Sequence, residues 1–349
     1  MKLLIGGSSS KIFHLKEFAN ALEQLQIETK VVLDVDYSDG FPSRKIKNWF
    51  QNDSKFTKLI NEFKPDLIFV DRQRHFGLSA IKSKIPLLMH VRGDFWKEME
   101  MAKKTLYKSF PKRIALKKWN QIADECFKNS ELILPICDHL KKRTYEEYPN
   151  KKSEILYQGI NSKNWYYEKG IKLKHPCIGL VQSANIWEKT KEMLVLTKIM
   201  NQFPQITFYW VGDGPYRNEV LPKLEEFENF KWLGSLEYPK KIRQFLSEID
   251  AYALITGIDM SPLTLLEAQL MQKPVIATNV GGIPELMSDE KTGFLIEKNN
   301  SEDLKKKISL ILQKIETNDM GKEGKKFVEE NFDWKIIARE FKETLKKYI

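Results

Sequence analysis

From Cys177 to Ile296 the chain alternates short apolar runs with amphipathic ones, without a break. Cys177–Val181, Ile206–Gly212, Lys231–Gly234, Ala251–Thr256, Pro274–Thr278 and Gly293–Ile296 read as strands, and helical stretches separate them. Such alternation implies a parallel sheet covered on both faces by helices. The first half carries the same rhythm at Lys2–Ile5, Thr29–Leu33, Pro65–Asp71, Ile85–Val91 and Ser130–Ile136. At 349 residues the chain is too long for one core of ordinary size and suits two domains. The polar, patternless Lys169–His175 places the boundary near residue 171. The expected division is 1–170, 171–330 and a last helical piece, 331–349.

The stretch Ala253 to Glu285 carries the most chemistry. After its strand, Ser261 stands where an N-cap belongs and Pro262 where a first helical residue belongs. Leu263, Leu266 and Leu270 then share one helix face. The free N–H groups and partial positive charge of that helix start suit a phosphate. Asp259 lies just before this seat, and Glu267 projects about 9 Å along the axis at 1.5 Å per residue. That spacing suits a ligand with a sugar at one end, a diphosphate between and a ribose at the other. Beyond the next strand, Gly281 and Gly282 let backbone approach closely, and Glu285 follows.

With Asp259 and Glu267 separated by seven residues, the stretch resembles the E-x7-E segment of retaining GT-B glycosyltransferases of family 4. Pro262, Leu266-Glu267-Ala268, Pro274 to Thr278 and Gly281 to Glu285 carry the resemblance. Asp259 stands where Glu is usual, and Met260 and Gln272 where Gly is usual. The resemblance implies two Rossmann-like parallel-sheet domains facing a cleft, with the helix from Trp334 crossing back to the first. It also implies a nucleotide diphosphate sugar as donor and a hydroxyl acceptor on a glycan or lipid-linked glycan. Within that frame Asp259 orients the donor sugar and Glu267 binds the ribose. Met260, Ser261, Pro262 and Leu263 line the donor seat with Glu285. Gly212 and Gly214, in a Gly-Asp-Gly-Pro turn followed by Arg217, shape the crevice around the base, or form a purely structural turn. The usual arginine after the first strand of the second domain is missing; Lys189 keeps the companion lysine, and Lys191 is close enough to assist. No metal and no cofactor are called for.

In the first half, Gly6-Gly7-Ser8-Ser9-Ser10 forms a glycine turn between the first strand and a helix bearing Phe13, Leu15, Phe18, Leu22 and Leu25. It is not GxGxxG, which argues against NAD. The turn resembles the family's N-terminal glycine loop, whose backbone faces the sugar diphosphate; a merely structural turn is the alternative. Asp34-Val35-Asp36 spells the DxD of metal-dependent glycosyltransferases of another class, but reads here as strand end and turn. His90, at the carboxyl end of its strand, occupies the place of the family's sugar-side histidine, with a satisfied structural histidine as the competing reading. Arg92 and Asp94 are its neighbours.

The net charge of +10 calls for an anionic partner. Residues 95–119 interleave lysines and arginine with Tyr107, Phe110, Ile114, Leu116 and Trp119, and Pro111 divides them into two helices. Such a pair is either an anionic-membrane contact or a solvated basic face. No recognition fold accompanies the charge, so nucleic acid is not expected. Cys126, Cys137 and Cys177 are scattered with no CxxC and no nearby paired histidines, so neither a disulfide framework nor a zinc site is expected. The start lacks the apolar core of a signal peptide. A cytoplasmic protein, with the inner membrane face as a second location, is the expectation. The rival reading is a catalytically silent GT-B protein that binds nucleotide or glycan as a partner subunit.

Overall fold

The computed structural model describes residues 1–43, 46–50, 53–105, 107–314 and 319–348. It comprises two units, one made of Met1–Gly159 with Trp334–Ile349 and the other of Ile160–Asp333.

The first unit holds β1 (Lys2–Gly7), β2 (Glu28–Leu33), β3 (Leu67–Val70), β4 (Leu87–Val91) and β5 (Leu132–Pro135) in the order β2-β1-β3-β4-β5, every pair parallel. β3, β4 and β5 are buried at every residue, as a sheet with helices on both faces requires. Glycine is demanded in β1 by packing. A Cβ on Gly6 would lie 2.5 Å from the Phe76 ring and one on Gly7 2.1 Å from Leu15. Both glycines therefore sit in the last positions of the strand and not in the loop after it. The helix Trp334–Tyr348 packs on the helix Ile12–Glu23, with Phe18 5.3 Å from the Trp334 ring and 5.2 Å from Phe341. The last helix thus belongs to the first unit, as expected. The DxD tripeptide opens a one-turn helix, Asp34–Tyr37, instead of a plain turn, and Asp34 Oδ1 accepts the Val35 N–H.

The second unit holds β6 (Cys177–Val181), β7 (Thr207–Val211), β8 (Phe230–Trp232), β9 (Ala251–Leu254), β10 (Val275–Thr278) and β11 (Gly293–Ile296). Their order is β11-β10-β9-β6-β7-β8, again all parallel. All six predicted strands of this half are present. The division falls at Ile160 instead of near residue 171, because 160–170 is bound to the second unit. Arg243 donates to Glu168 at 2.7 Å and to the Asn164 carbonyl at 2.9 Å, and Ser247 accepts the Glu168 N–H.

Residues 95–119 form two helices, Phe95–Thr105 and the start of Phe110–Asn129, with Pro111 in the first turn of the second. Leu106, between them, lies outside the described residues. Among the described residues no helix is long and apolar enough to cross a membrane.

Candidate functional site

Parallel sheets gather their loops at the carboxyl ends of the strands, where α/β folds bind ligands. In the second unit, the segments leaving β6, β7, β9, β10 and β11 are locked to one another there. The Gln182 N–H donates to the Val211 carbonyl, Ala184 N–H to Asp213, and Tyr216 N–H to Ala184. Gly212 and Gly214, at φ 148° and 153°, have no room for a Cβ: it would lie 1.9 Å from the Gln182 carbonyl oxygen at Gly212 and 2.5 Å from the Ala184 backbone at Gly214. Arg217 pairs with Asp213 at 3.2 Å and lies over the Trp232 ring at 4.9 Å, which holds the turn in shape.

The loop after β9 carries Asp259 and is gripped from three sides. Thr256 Oγ1 donates to the Ile258 carbonyl, and Lys298 Nζ donates to the Gly257 carbonyl at 3.0 Å. A Cβ on Gly257 would collide with the Glu188 carbonyl at 2.1 Å. Gly282 N–H donates to the Asp259 carbonyl at 3.0 Å, while Gly281, at φ 58°, passes so close that a Cβ would stand 2.0 Å from that oxygen. The Gly-Gly pair thus positions the Asp259 backbone, and a left-handed residue is required for it.

Lys189 lies in the short helix Trp187–Thr190 and reaches Asp259, Nζ to Oδ2 at 2.6 Å. The sequence separates them by seventy positions. Both side chains remain partly open, at 26% and 17% exposure. Lys191 does not join them; its ammonium pairs with Glu188 at 2.7 Å.

The helix beyond the loop spans Leu263–Leu270. Pro262, at φ −72° and ψ 108°, is its N-cap and not its first helical residue, so the start lies one position later than expected. Ser261 consequently makes no cap bond, and its buried Oγ has no hydrogen-bond partner among the described residues. Tyr252, buried in β9, donates to Thr264 Oγ1 at 2.8 Å and fixes the first turn. Met260 is buried, and Glu285 is half-buried in the turn Ile283–Glu285.

Glu267 is the outlier. It is buried on a helix whose neighbours are Leu265, Leu266 and Ala268, and its carboxyl meets one neutral donor, the Tyr238 hydroxyl at 3.1 Å on Oε1. Oε2 has no partner among the described residues. Burial pushes its pKa up to about 8, with the Tyr238 hydrogen bond only partly opposing.

In the first unit the corresponding strand ends behave differently. His90 is 4% exposed; its Nδ1 faces Asp71 Oδ1 and its Nε2 the Leu156 carbonyl, each at 3.3 Å. Arg92 Nη1 donates to the same Asp71 oxygen at 3.3 Å. Burial raises the Asp71 pKa, but the His90 hydrogen bond and the Arg92 charge outweigh it and the net shift is downward. His90 is therefore packed as a structural histidine with both ring nitrogens occupied. Asp94 Oδ1 accepts the Lys97 N–H at the start of the helix Phe95–Thr105.

Residues 178–314 match the family model described as Glycosyl transferases group 1. That stretch is similar to the group 1 glycosyltransferases. An uncharacterized glycosyltransferase of Methanocaldococcus jannaschii is 26% identical over 215 residues, covering 59% of this chain and 56% of its own. A putative colanic acid biosynthesis glycosyltransferase of Escherichia coli is 24% identical over 237 residues, covering 63% and 58%. The chain thus spans little more than half the length of these relatives. Among solved structures, sucrose-phosphate synthase from Thermosynechococcus elongatus superposes with a TM-score of 0.76 at 13% identity, covering 99% of both chains. Anabaena HepE in complex with UDP gives 0.72 at 17%, covering 99% and 100%. The fold is GT-B.

Lys298 and Tyr238 were not singled out in the sequence. Lys298 follows β11 at its carboxyl end, a position that topology alone would have flagged. Tyr238 carries no comparable signal.

Proposed function

We propose that this protein is a retaining glycosyltransferase that moves a sugar from a nucleotide diphosphate donor to a hydroxyl on a glycan or lipid-linked acceptor. One observation carries the reading. Glu267 is a buried carboxylate with an unclaimed oxygen, on the same helix whose start adjoins the Lys189–Asp259 pair. A carboxylate in that condition is costly unless a ligand supplies hydroxyl donors. The ribose of a nucleotide has two, and their charge-assisted hydrogen bonds would favour the ionised form.

The remaining parts follow from the same geometry. Lys189 exchanges Asp259 for the diphosphate and, with the backbone N–H groups of Ser261 and Leu263, balances the charge that grows on the leaving group. This needs no metal at the phosphates. Asp259, released from the lysine, orients the donor sugar and faces the positive charge developing there. Asp is about 1.3 Å shorter in reach than the glutamate of the E-x7-E pattern, so it takes a nearer hydroxyl. The leaving phosphate oxygen removes the acceptor proton, in keeping with the family resemblance, so no separate general base is required. The close-packed turn at Gly212 and Gly214, with Arg217, walls the place of the base. His90 contributes by holding Asp71 and Arg92. For a lipid-linked acceptor, the exposed Phe110 and Ile114, set among exposed Lys108, Lys112, Arg113 and Lys117, form the surface that meets an anionic membrane.

The test is a thermal-shift screen of nucleotide sugars, since a ligand of the folded state raises its melting temperature. One nucleotide class should stabilise the wild type, and Glu267→Ala should abolish most of that shift. An unchanged shift in the variant would move the ribose elsewhere. Nucleotide binding without any release of nucleotide from the sugar donor, acceptor present, would support the silent partner subunit instead.

A further inference from the structure

At the other end of β6 from Lys189 lies a second cluster of ligating atoms. The Cys177 thiol is free and buried. His175 sets Nδ1 2.8 Å from Asp250 Oδ2 and 3.8 Å from Cys177 Sγ. The sulfur, nitrogen and carboxylate oxygen lie within 4.8 Å of one another. On the far side of the imidazole, Nε2 faces Glu248 Oε1 at 3.4 Å. The Cys177 N–H donates to Asp250 Oδ2 at 2.7 Å, so the start of β6 and the turn before β9 already meet here.

We propose that this cluster binds one zinc ion through Cys177 Sγ, His175 Nδ1 and Asp250 Oδ2, with Glu248 orienting the imidazole. Zinc bonds of about 2.3 Å to sulfur and about 2.0–2.1 Å to nitrogen or oxygen, at tetrahedral angles, put S and N about 3.6 Å apart and N and O about 3.3 Å apart. The S–N and N–O separations found differ from these by about half an ångström or less, and sulfur and carboxylate oxygen lie within 4.8 Å. A zinc-bound histidine usually donates its other N–H to a carboxylate, and Glu248 is placed to receive it. His175 is 43% exposed, which leaves an entry path and a fourth position for water.

Zinc binding displaces the imidazole Nδ1 and thiol protons to solvent, and Lys273, which donates to the Ser247 carbonyl, lies beside the cluster. The ion would tie residues 175–177 to the turn before β9. At about 3.3 Å per residue, five-residue β6 separates it from Gln182 by about 16 Å. Its role is therefore structural, apart from the chemistry proposed at Lys189 and Asp259.

The experiment titrates the chelator-stripped full-length chain with cobalt(II), then with zinc(II). One equivalent of cobalt should give a thiolate-to-metal charge-transfer band, zinc should displace it, and zinc should raise the melting temperature. Cys177→Ser should remove the band and His175→Gln should weaken zinc at least about tenfold. Glu248→Gln should weaken it roughly tenfold with the band retained. Melting of each metal-free variant checks that it folds. No stoichiometric uptake would overturn the proposal. So would uptake unchanged in Cys177→Ser and His175→Gln, which would place the metal on other ligands.

Discussion

Each unit buries a carboxyl group near the carboxyl edge of its sheet, Asp71 in the first and Glu267 in the second, and the two are treated in opposite ways. In the first, the Asp71 carboxylate receives both His90 and Arg92 on one oxygen, and its charge is answered inside the protein. In the second, Glu267 is as deeply buried but among the described residues meets only the Tyr238 hydroxyl, and burial favours its protonated form. The downward pKa of Asp71 and the upward pKa of Glu267 express that difference. A buried acid paired with a cation reads as a structural part, and one without a cation is the candidate for a ligand contact that the proposed function assigns to Glu267.

Three measurements can break or sharpen this contrast. The largest effect should come from Asp71→Ala, which strands the buried Arg92 guanidinium and leaves a ring nitrogen of His90 without its acceptor. We expect about 3–5 kcal/mol of lost stability by denaturant unfolding, with the nucleotide-induced thermal shift intact. A variant as stable as wild type would show that Asp71 is not compensated in this way. Next, Lys189→Ala should leave the fold stable and cut sugar-nucleotide turnover by about 10²–10³-fold, measured as nucleotide release; turnover within a few-fold of wild type would remove the lysine from the phosphates. The smallest effect concerns pH. Because the folded pKa of Glu267 is raised, the folded state holds that proton more tightly than the unfolded one, and stability from this group is lost as pH rises from about 4.5 through about 8. Glu267→Gln, which cannot ionise, should show a flatter fall in melting temperature across that window. Parallel curves for variant and wild type would mean that the carboxyl titrates normally.

The alternation that organises the chain was legible because it is a local, repeated signal. Helices and strands whose periodicity is set by burial, such as β6, β11 and Trp334–Tyr348, fall where the sequence puts them. Features that depend on one residue's conformation were misplaced by little: Pro262 is extended, so the helix begins at Leu263. Contacts between distant segments left no trace at all. Tyr238 reaches Glu267 across twenty-nine positions and Lys298 reaches Gly257 across forty-one. The burial of His90 depends on the carbonyl of Leu156, sixty-six positions away. The usual glycine after the Leu263–Leu270 helix illustrates a third case. Gln272 takes its left-handed conformation, at φ 55°, so the backbone persists where the residue type does not.

On the proposed reading, the pairing of Lys189 with Asp259 has a consequence for selectivity. An ammonium and a carboxylate that neutralise each other have little pull on stray anions, so inorganic phosphate or a bare nucleotide would have to separate them and would regain only the lysine's half. A molecule bearing both a diphosphate and sugar hydroxyls would regain both halves. Mutual neutralisation would then become discrimination for the intact donor over its own spent product.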